Sequence, residues 1–402
     1  MIDLKNIRAE FPIFFHHPNL VYLDNAATTH KPQSVIDSIS NFYQKENANI
    51  HRGIYPLAAQ TTQKYEQVRN KVASFLNAPD STNIVYTSGT TASINLVAHS
   101  FLNNRLKKGD EIIISAMEHH ANLIPWQMIC KKKEANLRVI PMNKEGELDL
   151  GNFKEMLSEK TKLVAVVHVS NTLGTINSIE EIIDFSHQKN ILVLVDAAQS
   201  VAHYPIDVQA LDVDFLTFSG HKLFGPTGIG ILYGKKQYLL AMEPYQFGGD
   251  MIKNVTFEET TFADVPQRFE AGTTNVAGVI GLGAAIDFVN QLDRRAVMNY
   301  LNDLTLDVTG KLLKINNLEI IGNAKNKSSI ISFSLKNIHP HDVATFLGTD
   351  HIAVRAGNHC TQPVMDYFNL PGTTRASFTI YNRPEEIDLL VEKIKEIQQF
   401  FS

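Results

Sequence analysis

SGHKLFGPTGIGILYG, residues 219–234, places a lysine, Lys222, just beyond one apolar run, DFLTFS, and turns through glycines into another, GIGILYG. Runs of the same length recur upstream as NIVYTS, EIIIS, KLVAVVHVS and ILVLVDAAQ. Between them lie the helical patterns TASINLVAHSFL, NLIPWQMICKKK and SIEEIIDFSHQ. Strands that read as continuous apolar text are buried on both faces, so the alternation predicts a mostly parallel sheet with helices on each side. In such sheets the loops at the carboxyl ends of strands line the ligand crevice. Lys222 falls in one of those loops.

Downstream of about residue 291 the text changes. SSIISFSL and RASFTIYN alternate apolar and polar residues with period two, which predicts half-buried antiparallel strands. Ile387, Leu390, Val391, Ile394 and Ile397 then follow at helical spacing. The expected organisation is a large α/β domain over residues 20–290 and a smaller α+β domain over 291–402, with residues 1–19 packing on the latter. A chain of 402 residues, 44% of them hydrophobic, is long enough for two such cores.

Composition removes several classes of function. The formal net charge is −5, and the longest cationic run, Lys131 to Lys133, is followed by Glu134, so nucleic acid and anionic membrane are not expected partners. No stretch approaches the ~18 apolar residues of a membrane span, and MIDLKNIRAEFPIFF interrupts its apolar residues with Asp3 and Glu10, unlike a signal peptide. Two cysteines make neither a disulfide framework nor a four-ligand zinc site, which points to a reducing, cytoplasmic setting. The doublet His119-His120 lacks the i, i+4 spacing of a metal-binding helix, so no metal is expected.

The strand ends carry the chemistry. In YTSGTTASINL, a glycine and two threonines separate a strand from a helix, where free N–H groups and hydroxyls can hold a phosphate; Thr90 or Thr91 as an ordinary helix N-cap is the alternative. ILVLVDAAQ ends a buried run on an acid, Asp196, which needs a cationic partner or a structural hydrogen bond. A phosphate cradle, a buried acid and Lys222 together are the parts of a pyridoxal phosphate site: hydroxyls for the ester, a carboxylate for the ring nitrogen, an amine for the aldehyde. Nucleotide readings fail on spacing, because GPTGIGILYG opens no helix after a first strand and no GxxxxGK precedes Ser or Thr. Cys360 stands in RAGNHCTQP, where Arg355 and His359 can favour its thiolate. Cys130, in IPWQMIC, reads as a packed core thiol.

Over nearly its whole length the chain resembles class V aminotransferase-fold cysteine desulfurases of the SufS type. The motifs run in order from YLDNAATT at residue 22 through NANIHRGIY, SGTT, EHHANLIPWQ, HVSNTLGT, VDAAQS, FSGHKLFGPTGIGILYG, RFEAGTTN, IAVRAGNHC and RASFTIYN. The resemblance implies the fold type I architecture of pyridoxal 5′-phosphate (PLP) enzymes. It makes Lys222 the Schiff-base lysine and Asp196 the partner of the ring nitrogen. Gln199 is then expected at the phenolic oxygen, His119 over the ring face, and Thr90, Thr91, Ser219 and His221 at the phosphate. Thr273 is expected to reach the phosphate of a neighbouring subunit, which implies a homodimer. Arg375, Asn171, Arg355 and His51 fall in the substrate-binding set, with His51 and Arg52 in the entrance segment.

The implied reaction converts L-cysteine to L-alanine and leaves sulfur as a persulfide on Cys360, destined for iron–sulfur cluster assembly. Selenocysteine lyase and cysteine sulfinate desulfinase share the fold and the lysine and are the alternatives. The short Cys360 segment implies a docking acceptor protein of the SufU or SufE kind. HPHD, residues 339–342, resembles the version paired with zinc-containing SufU-type acceptors and nominates His341 as the contact. Asn358, Ala92 and Asp250 depart from the residues common in the family, which puts regulatory and interface contacts in question.

Overall fold

The computed structural model describes residues 6–401. Its main sheet has seven strands: β1 (Ile84–Thr87), β2 (Glu111–Ser115), β3 (Asn136–Ile140), β4 (Thr161–Val167), β5 (Leu192–Asp196), β6 (Phe215–Ser219) and β7 (Gly230–Gly234). Their spatial order is β1-β7-β6-β5-β4-β2-β3. The run from β6 to β3 is parallel, and β7 lies antiparallel between β6 and β1. Alternate residues of the central strands feed different cores: Val164, Val166, Val193, Val195, Leu216 and Phe218 pack on one face, and Leu163, Ala165, Leu194 and Phe215 on the other. Burial of both faces is why these strands read as unbroken apolar text. The strand that this reading missed is β3, NLRVI, an edge strand whose residues before Ile140 are all at least partly exposed.

A second sheet is antiparallel, built from β8 (Leu318–Ile321), β9 (Ile330–Leu335), β10 (Arg355–Gly357) and β11 (Thr373–Ser377) in the order β8-β9-β11-β10. The expectation of half-buried strands needs correction here. Every residue of β11 is buried, and all of β9 except Ser334. Their polar side chains turn toward other parts of the chain instead of solvent: Ser332 Oγ donates to Thr172 O at 2.6 Å, and Arg375 Nη2 to Asp24 Oδ1 at 2.9 Å. Period two reported the pleat correctly; it could not report what covers the polar face. The last helix, Pro384–Phe400, buries Ile387, Leu390, Val391, Ile394 and Ile397 as its spacing requires.

Near the N-terminus, Arg8 binds Glu386 at 2.6 Å and Tyr381 O at 3.1 Å, while Phe11 meets Phe224, Phe288 and Tyr381 edge-on. This segment thus touches the last helix and the Lys222 loop at once; residues 1–5 lie outside the described residues. Val21–Tyr22 pairs in parallel with Ile352–Ala353, bringing residues 24–31 to the carboxyl ends of the main strands. Among the described residues no single helix is long and apolar enough to cross a membrane.

Candidate active site

A cavity of about 170 Å³ opens where the carboxyl ends of β4, β5 and β6 meet β10 and β11. Asp196, the last residue of β5, is 3% exposed and accepts a hydrogen bond from Ala198 N–H at 2.9 Å. Burial pushes its pKa up, against the pull of that N–H and of Lys222. Lys222 closes the short 3₁₀ turn Gly220–Lys222 after β6. Burial lowers its pKa to about 8, with Asp196 opposing the fall and Arg375 and Arg355 adding to it. The peptide before it is pinned from outside the turn, since His221 O accepts from Thr28 Oγ1 at 3.2 Å, Thr29 N at 3.1 Å and Lys31 Nζ at 3.1 Å.

The glycine–threonine turn after β1 forms the adjoining wall. Ser219 Oγ accepts from Thr90 N–H at 2.9 Å and is hydrogen-bonded to Thr90 Oγ1 at 2.8 Å. The N-cap alternative for Thr90 and Thr91 does not hold, because Gly89 is the N-cap and no side chain caps the helix Thr90–Leu96. Gly89 has φ +151°, and a Cβ on Gly230 would collide with its backbone, so these two glycines let the turn lie against β7. His119, in the next wall, accepts from Ala121 N–H through Nδ1 at 3.0 Å. Burial, then Lys222, holds its pKa near about 3, so the ring is neutral. Gln199 donates to Ala26 O at 2.8 Å, and Thr91, Ser219 and His221 also line the cavity.

The second sheet supplies the opposite wall. Arg375 is 1% exposed and binds Asp24 at 2.9 Å and Asn171 O at 2.9 Å. Among the described residues its Nε has no partner, and neither has Oδ1 of Asn171, whose Nδ2 donates to His359 O at 2.7 Å. Both residues line the cavity. Cys360 lies at the rim with φ +60°, its Sγ 3.9 Å from Nη2 of Arg355, which also lines the cavity. Asn358 Oδ1 accepts from Cys360 N–H at 3.1 Å, so the departure at 358 helps shape the thiol turn.

His359 does not tune the thiol by charge. Its Nε2 meets Thr373 Oγ1 at 2.9 Å, and burial drops its pKa to about 3, leaving Arg355 as the cation beside Cys360. Cys130 is buried, and burial raises its thiol to about 11, as a packed core residue requires. Within a single chain His51 and Thr273 do not line the cavity. His51 Nε2 is 3.0 Å from Glu66, and Arg52 Nε 3.0 Å from Asp250. Asp24, Thr28, Thr29 and Lys31 were not singled out from the sequence. The density of polar residues in DNAATTHK, between a strand and a helix, was the available signal.

PLP fits this donor set: a buried acid, a recessed amine of lowered pKa, and a wall of N–H and hydroxyl groups surround one cavity. On a mostly parallel seven-stranded sheet, that constellation defines a PLP-dependent enzyme of fold type I. The aminotransferase class-V family model matches residues 21–390, and the chain belongs to that family. It is 46% identical over 397 residues to a probable cysteine desulfurase of Vibrio cholerae, covering 98% of each chain. A cysteine desulfurase of Synechococcus elongatus is 47% identical over 399 residues, 98% of this chain; the chain spans 64% of that relative's length. Among solved structures, the Escherichia coli cysteine desulfurase CsdA, in an S-sulfonic acid form, superposes with a TM-score of 0.93 at 39% identity, covering 100% of this chain and 99% of that one.

Proposed function

We propose that this chain is a PLP-dependent cysteine desulfurase that converts L-cysteine to L-alanine and carries the sulfur as a persulfide on Cys360. One observation carries the reading. A thiol at the rim stands 3.9 Å from an arginine that lines the same cavity as Lys222 and Asp196. Aminotransferase chemistry alone has no use for that thiol.

Asp196 would hold the ring nitrogen of PLP, Gln199 its phenolic oxygen and His119 its face, with Thr90, Thr91, Ser219 and His221 at the phosphate. Bound there, PLP supplies an electron sink for a carbanion at the substrate Cα. Arg375 and Asn171 would take the substrate carboxylate, the guanidinium serving as a cation in the cavity wall. Lys222, with its pKa lowered to about 8, exchanges a proton near neutral pH and so can take the Cα proton and return one. Cys360 attacks as thiolate beside Arg355. The S–S bond forms as the substrate's C–S bond breaks; the pair left on the substrate is protonated, and alanine leaves.

The subtype is the SufS type, cytoplasmic, with a docking acceptor. A Cβ on Gly357 would lie 3.8 Å from Nε2 of exposed His341, which places that ring beside the strand that leads to Cys360. A SufU-type zinc acceptor fits this better than a SufE-type one. A homodimer accounts for Thr273, since the RFEAGTTN segment is displaced from its own chain's cavity. The test is alanine and sulfide release from cysteine with and without each acceptor, for wild type and Cys360→Ala on cysteine, selenocysteine and cysteine sulfinate. Cysteine turnover that survives Cys360→Ala would sink the persulfide assignment.

A further inference from the structure

The Cys360 turn is unusual backbone. His359 and Cys360, neither of them glycine, are consecutive residues at φ +52° and +60°. L residues stay in that region only when their surroundings fix them there. One residue of the main α/β part bonds both to Cys360 and to the start of the helix that follows it. His120 N–H donates to Cys360 O at 2.8 Å, and Gln362 N–H donates to the His120 ring at Nε2, 3.1 Å. Accepting that second bond requires Nε2 to be unprotonated, which places the ring hydrogen on Nδ1.

We propose that His120 is the positioning residue that locks the sulfur-accepting turn against the cavity, its imidazole acting as a hydrogen-bond acceptor and not as an acid or base. The proposal rests on the reading of Cys360 as the sulfur acceptor. The other ties are Asn358 Oδ1 accepting from Cys360 N–H at 3.1 Å, Asn171 Nδ2 to His359 O at 2.7 Å and a bond between Thr172 Oγ1 and Thr361 Oγ1 at 2.6 Å. The bond to Cys360 O comes from the His120 backbone and survives any side-chain replacement. Removing the ring therefore frees the C-terminal side of the turn, where the first N–H of the helix Gln362–Phe368 loses its partner. On its far side the ring lines a wider neighbouring cavity of about 460 Å³. With the ring gone, the turn gains room to move.

The experiment compares PLP-loaded wild type, His120→Ala and His120→Gln. The glutamine amide oxygen can occupy the place of Nε2, but it cannot exchange a proton as imidazole does. Three quantities are measured: alkylation of Cys360 by iodoacetamide without substrate, single-turnover persulfide formation, and KM for cysteine. In His120→Ala, persulfide formation should fall about tenfold with KM unchanged and the alkylation rate altered, as a displaced nucleophile requires. His120→Gln should return both rates to within about twofold of wild type. An alanine variant equal to wild type overturns the proposal, as does a glutamine variant as impaired as the alanine one. If wild type itself released no alanine, the assigned activity would fail, and alkylation alone would still decide whether His120 holds the turn.

Discussion

Replacing Asp196 with asparagine should make Lys222 a weaker base. Burial carries Lys222 from 10.5 to about 8, which disfavours its charged form by about 3 kcal/mol. At pH 7 about one molecule in ten then has a free amine, against about one in 3,000 for an ordinary lysine. Asp196 works against that fall, because its carboxylate attracts the ammonium. Opposite charges at close range shift a pKa by about 1–3 units, and a cavity that admits water keeps the effect near about 1 unit. Asparagine keeps an oxygen for Ala198 N–H, so the strand end is preserved while the charge is removed. The inflection of Lys222 reactivity should move from about 8 to near about 7. The assay is the pH dependence of modification of PLP-stripped protein by a small aliphatic aldehyde with cyanoborohydride, reading the Lys222 peptide by mass. An inflection that stays at about 8 or rises would refute the reasoning, and would mean that Asp196 is already neutral in the empty site.

Other outcomes are equally open to measurement. Arg375→Lys keeps the charge but loses the planar fork, so KM for cysteine should rise by about tenfold or more while cysteamine, which lacks the carboxylate, is affected little; equal losses for both would remove Arg375 from carboxylate binding. Cys130→Ala should leave cysteine turnover intact and lower stability by about 1 kcal/mol in urea unfolding, whereas Cys360→Ala should abolish persulfide formation; the reverse pattern would exchange the two assignments. Glu270 and Arg69 form a two-pronged ion pair at 2.7 and 3.0 Å with side chains 3% and 2% exposed, and Glu66 pairs with the same arginine at 2.8 Å, so Glu270→Gln should cost about 1–3 kcal/mol by weakening that buried cluster. Adding Arg69→Met should then cost far less than it does alone; strict additivity would deny the coupling.

What the sequence made legible followed from local physics. The doubly covered strands were readable because burial on both faces demands unbroken apolar text, and β5 ending on Asp196 stood out because a carboxylate at that depth is costly. Lys222 gained meaning from Asp196 and the Gly89 turn, each weak alone. Edge strand β3 escaped because its neighbour covers it on one side only, so Arg138 and Asn136 fit it as well as apolar residues do. The neutral state of His359 was illegible for a different reason. Proximity to Cys360 in the chain suggests a charge partner, but only the folded surroundings show that the ring is buried against Thr373.

The misjudged strands β9 and β11 carry the larger lesson. Alternating polar residues predict a wet face only when nothing polar is available to cover it. Here Ser332 meets Thr172 O, Ser377 Oγ meets Leu23 O at 3.2 Å, and Arg375 meets both Asp24 and Asn171. The polar face of the second sheet is therefore the far wall of the cavity opposite Lys222 and Asp196. Arg375 could not have been a solvated surface residue, because a guanidinium 1% exposed must be bonded, and its bonds fix the two sheets at the separation the site requires. The same argument makes Asp24 a determinant of that separation. Asp24→Ala would leave Arg375 without its counter-ion, and should weaken the docking of β11 as well as cysteine binding. A loss of cysteine affinity with an unchanged thermal midpoint would place Asp24 in recognition alone and separate the two roles.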